Sequence, residues 1–344
     1  MTLAGARSTL AAVAREAGVS VPTVSKVVNG RDDVAAGTRA RIERLLAAHN
    51  YVGWGQGRRR ASVRSICLAF DSFENPYSME ISRGVMQAAA EAGMDVTVSL
   101  TSARTPGVTW ADRVIRSGHE GLILVTSELT EAQRLHFSRA SLPLVLIDPV
   151  NLPTHEVVSV GSTNWSGAVS ATKHLLDLGH RRIAAIIGRP GTVFGRARLH
   201  GYRAALDDAG IRADDELVRL PGKISYESAY DHALGLFGLP QPPSAIFAGS
   251  DLQALGVLEA ARVASIRVPG QLSVVSFDDT AVARWSSPPL TAVHQPFAEM
   301  GHAATDVLRQ LAAGRVPASH RIELATSLIE RTSTAAYNVT EARS

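Results

Sequence analysis

Residues Thr9 to Asn29, TLAAVAREAGVSVPTVSKVVN, constrain the chain more tightly than any other stretch. Leu10, Val13, Ala14 and Ala17 recur at i, i+3, i+4 and i+7, one face of a short helix. Gly18 then supplies a residue that leaves the helix with positive φ, and Val19 plugs the corner. Ser20 stands where a second helix needs an N-cap, and Pro22 is tolerated in a first turn because its missing N–H had no helical partner. On that second helix Val24, Val27 and Val28 share a face, while Pro22, Ser25, Lys26 and Asn29 point the other way. Two short helices at a sharp turn, the second presenting small polar and cationic groups, form a helix-turn-helix whose outer face suits a major groove.

The charge distribution agrees. Net charge is only +3, but residues 1–64 carry eleven Lys/Arg against four Asp/Glu, and the remainder carries 24 against 28. A cationic head on a mildly acidic body fits a nucleic-acid contact joined to another function. A third helix is expected over Thr38–His49, with Ile42, Leu45 and Leu46 inward.

The run VAREAGVSVPTVSKVVNG resembles the N-terminal headpiece of the LacI/GalR family of bacterial transcription regulators, through Val13, Ala14, Ala17, Gly18, Val19, Ser20, Thr23, Val24, Ser25, Val27 and Asn29. By that resemblance, double-stranded DNA is contacted by Thr9, Leu10, Ser20, Val21, Pro22, Thr23, Ser25, Lys26 and Asn29. The following segment, residues 51–64, is the family's hinge, which usually forms a short helix with a leucine wedge. Tyr51 matches, whereas Gly53, Gly57 and Arg60 replace the usual proline, alanine and leucine. Gly53, Gly55 and Gly57 each cost about 1 kcal/mol against alanine in a helix. Arg58, Arg59 and Arg60 are therefore expected to track phosphates or a narrow minor groove.

Beyond residue 65, apolar runs of strand length alternate with helical stretches, a pattern that builds parallel sheets with helices on both faces. More than eight such runs exceed one doubly wound unit, so two lobes are expected. The stretches LLDLGHRRIAAI, RARLHGYRAAL, IFAGSDLQALGVLEA and SVVSFDD…SPPLTAVHQP are similar to the family's two-lobed, periplasmic-binding-protein-like core. The expected division is a headpiece over 1–50, a linker over 51–64 and a core over 65–331. Its N-lobe takes residues 65–162 and 294–326, and its C-lobe 163–290 and 327–331. The tail 332–344 is polar and is expected to lack fixed structure.

In open parallel sheets ligands collect beyond the C-terminal ends of the strands. Asp148, Ser250, Asp251, Asp278 and Asp279 lie there, and Arg198 begins a helix that faces such a cleft. Carboxylates accept paired hydrogen bonds and a guanidinium donates them, which suits vicinal hydroxyls, and an aromatic such as Tyr77, Trp165 or Phe297 suits a sugar's apolar face. Singly, each has a plain structural role available, as a helix cap or a solvated side chain. The resemblance selects Tyr77, Asp148, Arg198, Ser250, Asp278 and Phe297 as effector residues, with Ile224 and Phe194 departing from the family's usual aromatic and small polar residues. Trp165 and Trp285 are weaker candidates.

The expectation is a homodimeric DNA-binding repressor of a near-palindromic operator, controlled by a sugar or oligosaccharide and needing no cofactor or metal. The rivals are a co-repressor type answering to a purine or partner protein, and a carbohydrate-binding or processing protein. Enzyme motifs GxxxxGK[ST], HExxH and GxSxG are missing, and the SxxK at Ser170–Lys173 and SxN at Ser162–Asn164 stand in reversed order with no KTG after them. No apolar run has the roughly 20 residues of a membrane helix, and residues 1–8 lack a signal-peptide core. A cytoplasmic protein with no membrane partner is expected, with the single cysteine, Cys67, buried and inert.

Overall fold

The computed structural model describes residues 10–28, 31, 33–49, 64–101, 109–152, 156–189 and 191–337. They form two compact units, within 1–63 and 64–344.

In the first unit, α1 (Leu10–Ala17), α2 (Val21–Val28) and α3 (Ala36–Ala48) enclose a core of Val13, Ala14, Ala17, Val24, Val27, Ile42 and Leu46. Gly18 takes φ +63°, and the Val19 amide closes on the Ala14 carbonyl at 3.0 Å. The Ser20 hydroxyl accepts from the Thr23 amide at 3.3 Å, capping α2. Thr9, Asn29 and the linker, including Arg58, Arg59 and Arg60, lie outside the described residues.

The second unit opens with β1 (Ser65–Phe70), α4 (Pro76–Glu91), β2 (Asp95–Leu100), α5 (Trp110–Arg116) and β3 (Leu122–Val125). Then come α6 (Glu131–Arg139), β4 (Leu144–Ile147), β5 (Val158–Ser162), α7 (Asn164–Asp177), β6 (Ile183–Ile186) and α8 (Val193–Asp208). Next are β7 (Val218–Arg219), α9 (Tyr226–Phe237), β8 (Ala245–Ala248), α10 (Asp251–Val263), β9 (Ser273–Asp278) and α11 (Ala281–Trp285). The chain closes with β10 (Thr291–His294), α12 (Phe297–Ala312), β11 (Arg321–Leu324) and β12 (Ser327–Ile329).

These strands make two six-stranded sheets, β11-β5-β4-β3-β1-β2 in the N-lobe and β12-β10-β9-β8-β6-β7 in the C-lobe. Every pairing is parallel except β12 on β10. Central strands such as β3, LILV, are buried throughout, as a sheet covered on both faces requires. The chain crosses between lobes after β5, after β10 and between β11 and β12. Cys67 is buried in the N-lobe, and desolvation pushes its thiol up to about 11, an unreactive state.

The tail departs from expectation. Ser333 is fully buried, its hydroxyl donating to the Val274 carbonyl at 2.6 Å and accepting from the Thr291 amide at 2.8 Å. The Ala335 amide donates to Ser273 Oγ at 3.1 Å, and the Tyr337 amide to the Leu178 carbonyl at 2.8 Å. Residues 332–337 are thus a strap on the C-lobe: the Ser333 hydroxyl satisfies strand backbone and the Tyr337 amide a helix-end carbonyl, in place of water. No helix among the described residues is long and apolar enough to cross a membrane.

Candidate effector site and DNA-contacting face

The C-terminal ends of β1, β3 and β4 face those of β6, β8 and β9 across a cleft of about 520 Å³, within the roughly 300–1,000 Å³ of small-molecule sites. Its walls hold backbone strain. Thr126, Asp148, Arg189 and Asp278 line it with φ of 43°, 43°, 50° and 109°. Non-glycine residues seldom take such angles, at about 1–3 kcal/mol each, and persist there only where surrounding structure holds them.

Arg198 lies on the floor. Thr192 caps α8 by accepting from the Gly195 amide at 3.1 Å, and Gly201 lets α8 lie directly on the start of α7, since a Cβ there would collide with the Trp165 carbonyl. That approach brings Arg198 Nε to Asn164 Oδ1 at 2.8 Å, while Nη1 donates to the Gly249 carbonyl. The guanidinium stacks 3.8 Å from the Phe277 ring centroid, and Nη1 is 3.7 Å from Asp278 Oδ1. Asp278 Oδ1 accepts from Gln295 Nε2 at 2.7 Å, and Gln295 Oε1 accepts from Ser162 Oγ at 2.6 Å. This chain ties the floor to two of the interlobe crossings. On the opposite wall, Tyr77 donates to Asp148 Oδ2 at 2.7 Å.

Burial governs the electrostatics. It raises the carboxyls of Asp278 and Asp148, with the Arg198 charge opposing in each case. Burial also lowers Arg198, countered by Asp278 and then Asp148. The Tyr77 phenol is held well above its usual value by burial and by Asp148 beside it. Asp251, raised to about 6 by desolvation, already accepts from Ser276 Oγ, the Thr280 amide and Thr280 Oγ1, and so holds the end of β9 in shape. A buried guanidinium flanked by two carboxyls with spare lone pairs, one beside a phenol, is equipped to bind neutral polyhydroxyl groups.

Of the residues singled out from the sequence, Tyr77, Asp148, Arg198, Ser250 and Asp278 line this one cleft, as do Ile224 and Phe194. Ser250 also caps α10 through the Gln253 amide at 3.2 Å. Phe297 does not line it. Its ring is buried in the N-lobe core and meets Tyr77 edge-on at 5.2 Å, because α12 starts directly after Pro296 and turns its apolar face inward. Trp285 is 80% exposed outside the cleft. Sequence reasoning missed the rim residues Glu74, Arg189, Lys223, Tyr226 and Glu227, which sit in loops or a first helical turn with no periodic pattern to expose them. Ser170 donates to the Ser166 carbonyl and Lys173 pairs with Asp177 at 2.7 Å, ordinary helix-surface contacts.

In the first unit Val24 and Val27 are buried, and Val21, Pro22 and Lys26 are exposed on the other side of α2. Thr23 shares a hydrogen bond with the Ser20 hydroxyl at 2.8 Å, and Lys26 Nζ lies 2.6 Å from Asp33 Oδ2.

Residues 9–53 match the family model for bacterial regulatory proteins of the lacI family, and residues 172–334 that for a periplasmic binding protein-like domain. The chain is 30% identical to the ribose operon repressor of Escherichia coli K12 over 94% of its own length and 99% of that protein's. Among solved structures it is similar to a complex of transcriptional regulator CelR with cellobiose, at 31% identity, TM-score 0.71, and coverage of 95% of this chain and 100% of that one. It is also similar to the lac repressor dimer bound to operator and an anti-inducer, at 26% identity, TM-score 0.71, and coverage of 96% and 100%. The headpiece, the two-lobed core and full-length identity to a named repressor converge: the chain belongs to the LacI family of bacterial transcription regulators.

Proposed function

We propose that the protein is a cytoplasmic transcriptional repressor that binds a near-palindromic operator as a homodimer and is controlled by a sugar in the interlobe cleft. The observation that carries this reading is the Arg198–Asp278–Asp148–Tyr77 cluster at the strand ends, where both lobes meet one cavity. Relatives named for ribose and cellobiose support a carbohydrate, and the operator-bound lac repressor dimer supports two headpieces about one DNA turn apart, roughly 34 Å. Ser20, Val21, Pro22, Thr23, Ser25 and Lys26, with Leu10 from α1, present the DNA-contacting face.

Control follows from linkage. A ligand that prefers one lobe arrangement shifts operator affinity by its differential affinity, and DNA shifts ligand affinity by the same factor. The test is fluorescence anisotropy on operator DNA with a panel of mono- and disaccharides, carried out well below the melting temperature. Arg198→Ala and Arg198→Lys are expected to keep ligand-free operator binding and to lose the sugar response. A correctly folded variant that responds at unchanged sugar concentration overturns the site. Tighter DNA binding on adding a purine, with no sugar effect, decides for the co-repressor alternative.

A further inference from the structure

Next to the main cleft lies a second cavity of about 160 Å³. Its walls come from both lobes: Leu152, Ser159 and Glu323 from the N-lobe, Trp165, Phe194 and Ala197 from the C-lobe. Asp148 and Phe194 belong to the walls of both cavities. The Val193 amide, on the wall of the second space, donates to the Val150 carbonyl at 3.0 Å and so pins the start of α8 to the N-lobe.

Its chemistry is specific. Trp165, in the first turn of α7, is 49% exposed, a large indole facing a cavity where burial would ordinarily claim it. Glu323, on the edge strand β11, has no hydrogen bond or ion pair for its carboxylate among the described residues, yet its charge reaches Asp148 and helps to raise that carboxyl. A flat apolar ring, a carboxylate with all its acceptor capacity free and a hydroxyl-bearing floor (Ser159, Ser162, Thr163) match a neutral sugar ring: stacking on its C–H face and acceptance from its hydroxyls. The wall carries two carboxyls, Glu323 and Asp148, and one guanidinium, Arg321, whose Nη1 already donates to the Val157 and His320 carbonyls and to Ser159 Oγ; this balance favours a neutral ligand over a phosphate or acid.

We propose that this cavity is a second carbohydrate site, sized for one neutral sugar ring and coupled to the main cleft. The coupling has two routes. Phe194 and Asp148 border both spaces, and the Trp165 carbonyl packs on Gly201, one turn from Arg198 on α8.

A thermal-shift series on the full chain tests this, with glucose, galactose, ribose and cellobiose as probes and adenine as a stacking control without hydroxyls. Arg198→Ala disables the main cleft; Leu252→Trp fills it without removing a buried charge, which covers a failure of the first variant to fold. A sugar that stabilises the wild type is expected to keep part of its effect in both. Adding Trp165→Ala abolishes that residual shift, and adding Glu323→Gln moves it to about tenfold higher sugar concentration. A residual shift that is missing in both main-cleft variants, that survives Trp165→Ala, or that adenine reproduces overturns the second site, as does the failure of all four sugars on the wild type. Operator binding measured in parallel separates the two readings. A sugar response that persists in Arg198→Ala and Leu252→Trp counts against the main cleft, while the residual thermal shift reports on the second site alone.

Discussion

Arg198→Ala removes the buried cation that faces Asp278 and Asp148, so its cost is set by what is left behind. Asp278 stays buried with its nearest positive charge gone, and the Gly249 carbonyl and Asn164 Oδ1 lose their donors. Where Asp278 is ionised, breaking one partner out of the buried pair costs about 3–5 kcal/mol, against a total stability of about 5–15 kcal/mol, and at lower pH protonation of Asp278 reduces that cost. For a unit of this size that lowers the melting temperature by about 6–20 °C. The pH dependence has a definite sign. A carboxyl raised by burial binds more protons folded than unfolded, so stability falls as pH rises from its unfolded pKa to its folded one. Burial raises Asp278 in the wild type, and losing the opposing Arg198 charge raises it further. Wild type and variant lose stability together until the wild-type carboxyl ionises, and only the variant keeps losing beyond that point. Circular-dichroism melts at pH 6 and pH 9 should therefore show a larger gap at pH 9. The double variant Arg198→Ala/Asp278→Asn, with no stranded charge, should recover part of the loss in a double-mutant cycle. A single variant melting within about 2 °C of wild type at both pH values, or a gap that narrows with rising pH, would refute the buried-pair account.

Ser333→Ala leaves a buried strand amide and carbonyl without partners and should cost about 1–3 kcal/mol, read as a lower melting temperature and faster amide exchange at Thr291. An unchanged melt would show that the C-terminal strap does not hold the C-lobe. Replacing Arg58, Arg59 and Arg60 together by alanine should lower the slope of log K against log[salt] by up to ~3 units, with little bend at the operator centre. A sharp central kink in a circular-permutation assay would instead mean that the linker forms a wedge-bearing helix despite its glycines.

Much of this architecture is legible in the residues. The strands with continuous apolar runs, such as SICLAF and SVVSFD, are legible in the sequence, because burial on both faces leaves them no alternative. Helix starts were less visible. α4 begins at Pro76, under the cap of Asn75, and α8 at Val193, under Thr192, where a cap residue and not an apolar period marks the start. The strands β7, β11 and β12 carry no usable signal: two or three residues long, or half-exposed on an edge, they exist because a neighbouring strand offers its free backbone. In the site, residues placed by strand ends and by a local match were legible. Phe297 sits in the N-lobe core behind Tyr77, since a position after Gln295-Pro296 says nothing about which way α12 faces. The Ser162–Gln295–Asp278 chain joins residues far apart in sequence, and only the crossings bring them together.

The recognition helix poses the remaining physical question. Lys26 has the residue type and the outward position to donate to guanine O6 and N7, a contact that contributes about 1–3 kcal/mol of discrimination. Its ammonium, however, is already 2.6 Å from the Asp33 carboxylate, whose pKa that hydrogen bond lowers. Both side chains are half-exposed, at 50% and 57%, so the pair is screened by salt and gives way easily. If α2 enters the groove as proposed, Asp33 competes for the Lys26 donor and adds a negative charge on the DNA-contacting side. Asp33→Asn should raise affinity a few-fold on operator and random DNA alike, because both effects are independent of sequence. Lys26→Ala should weaken operator binding more than random binding and relax preference at one base pair per half-site. Equal losses on both DNAs would show that Lys26 touches phosphate only. Weaker binding by Asp33→Asn would show the opposite role for the carboxylate, holding Lys26 in the orientation that reads the base.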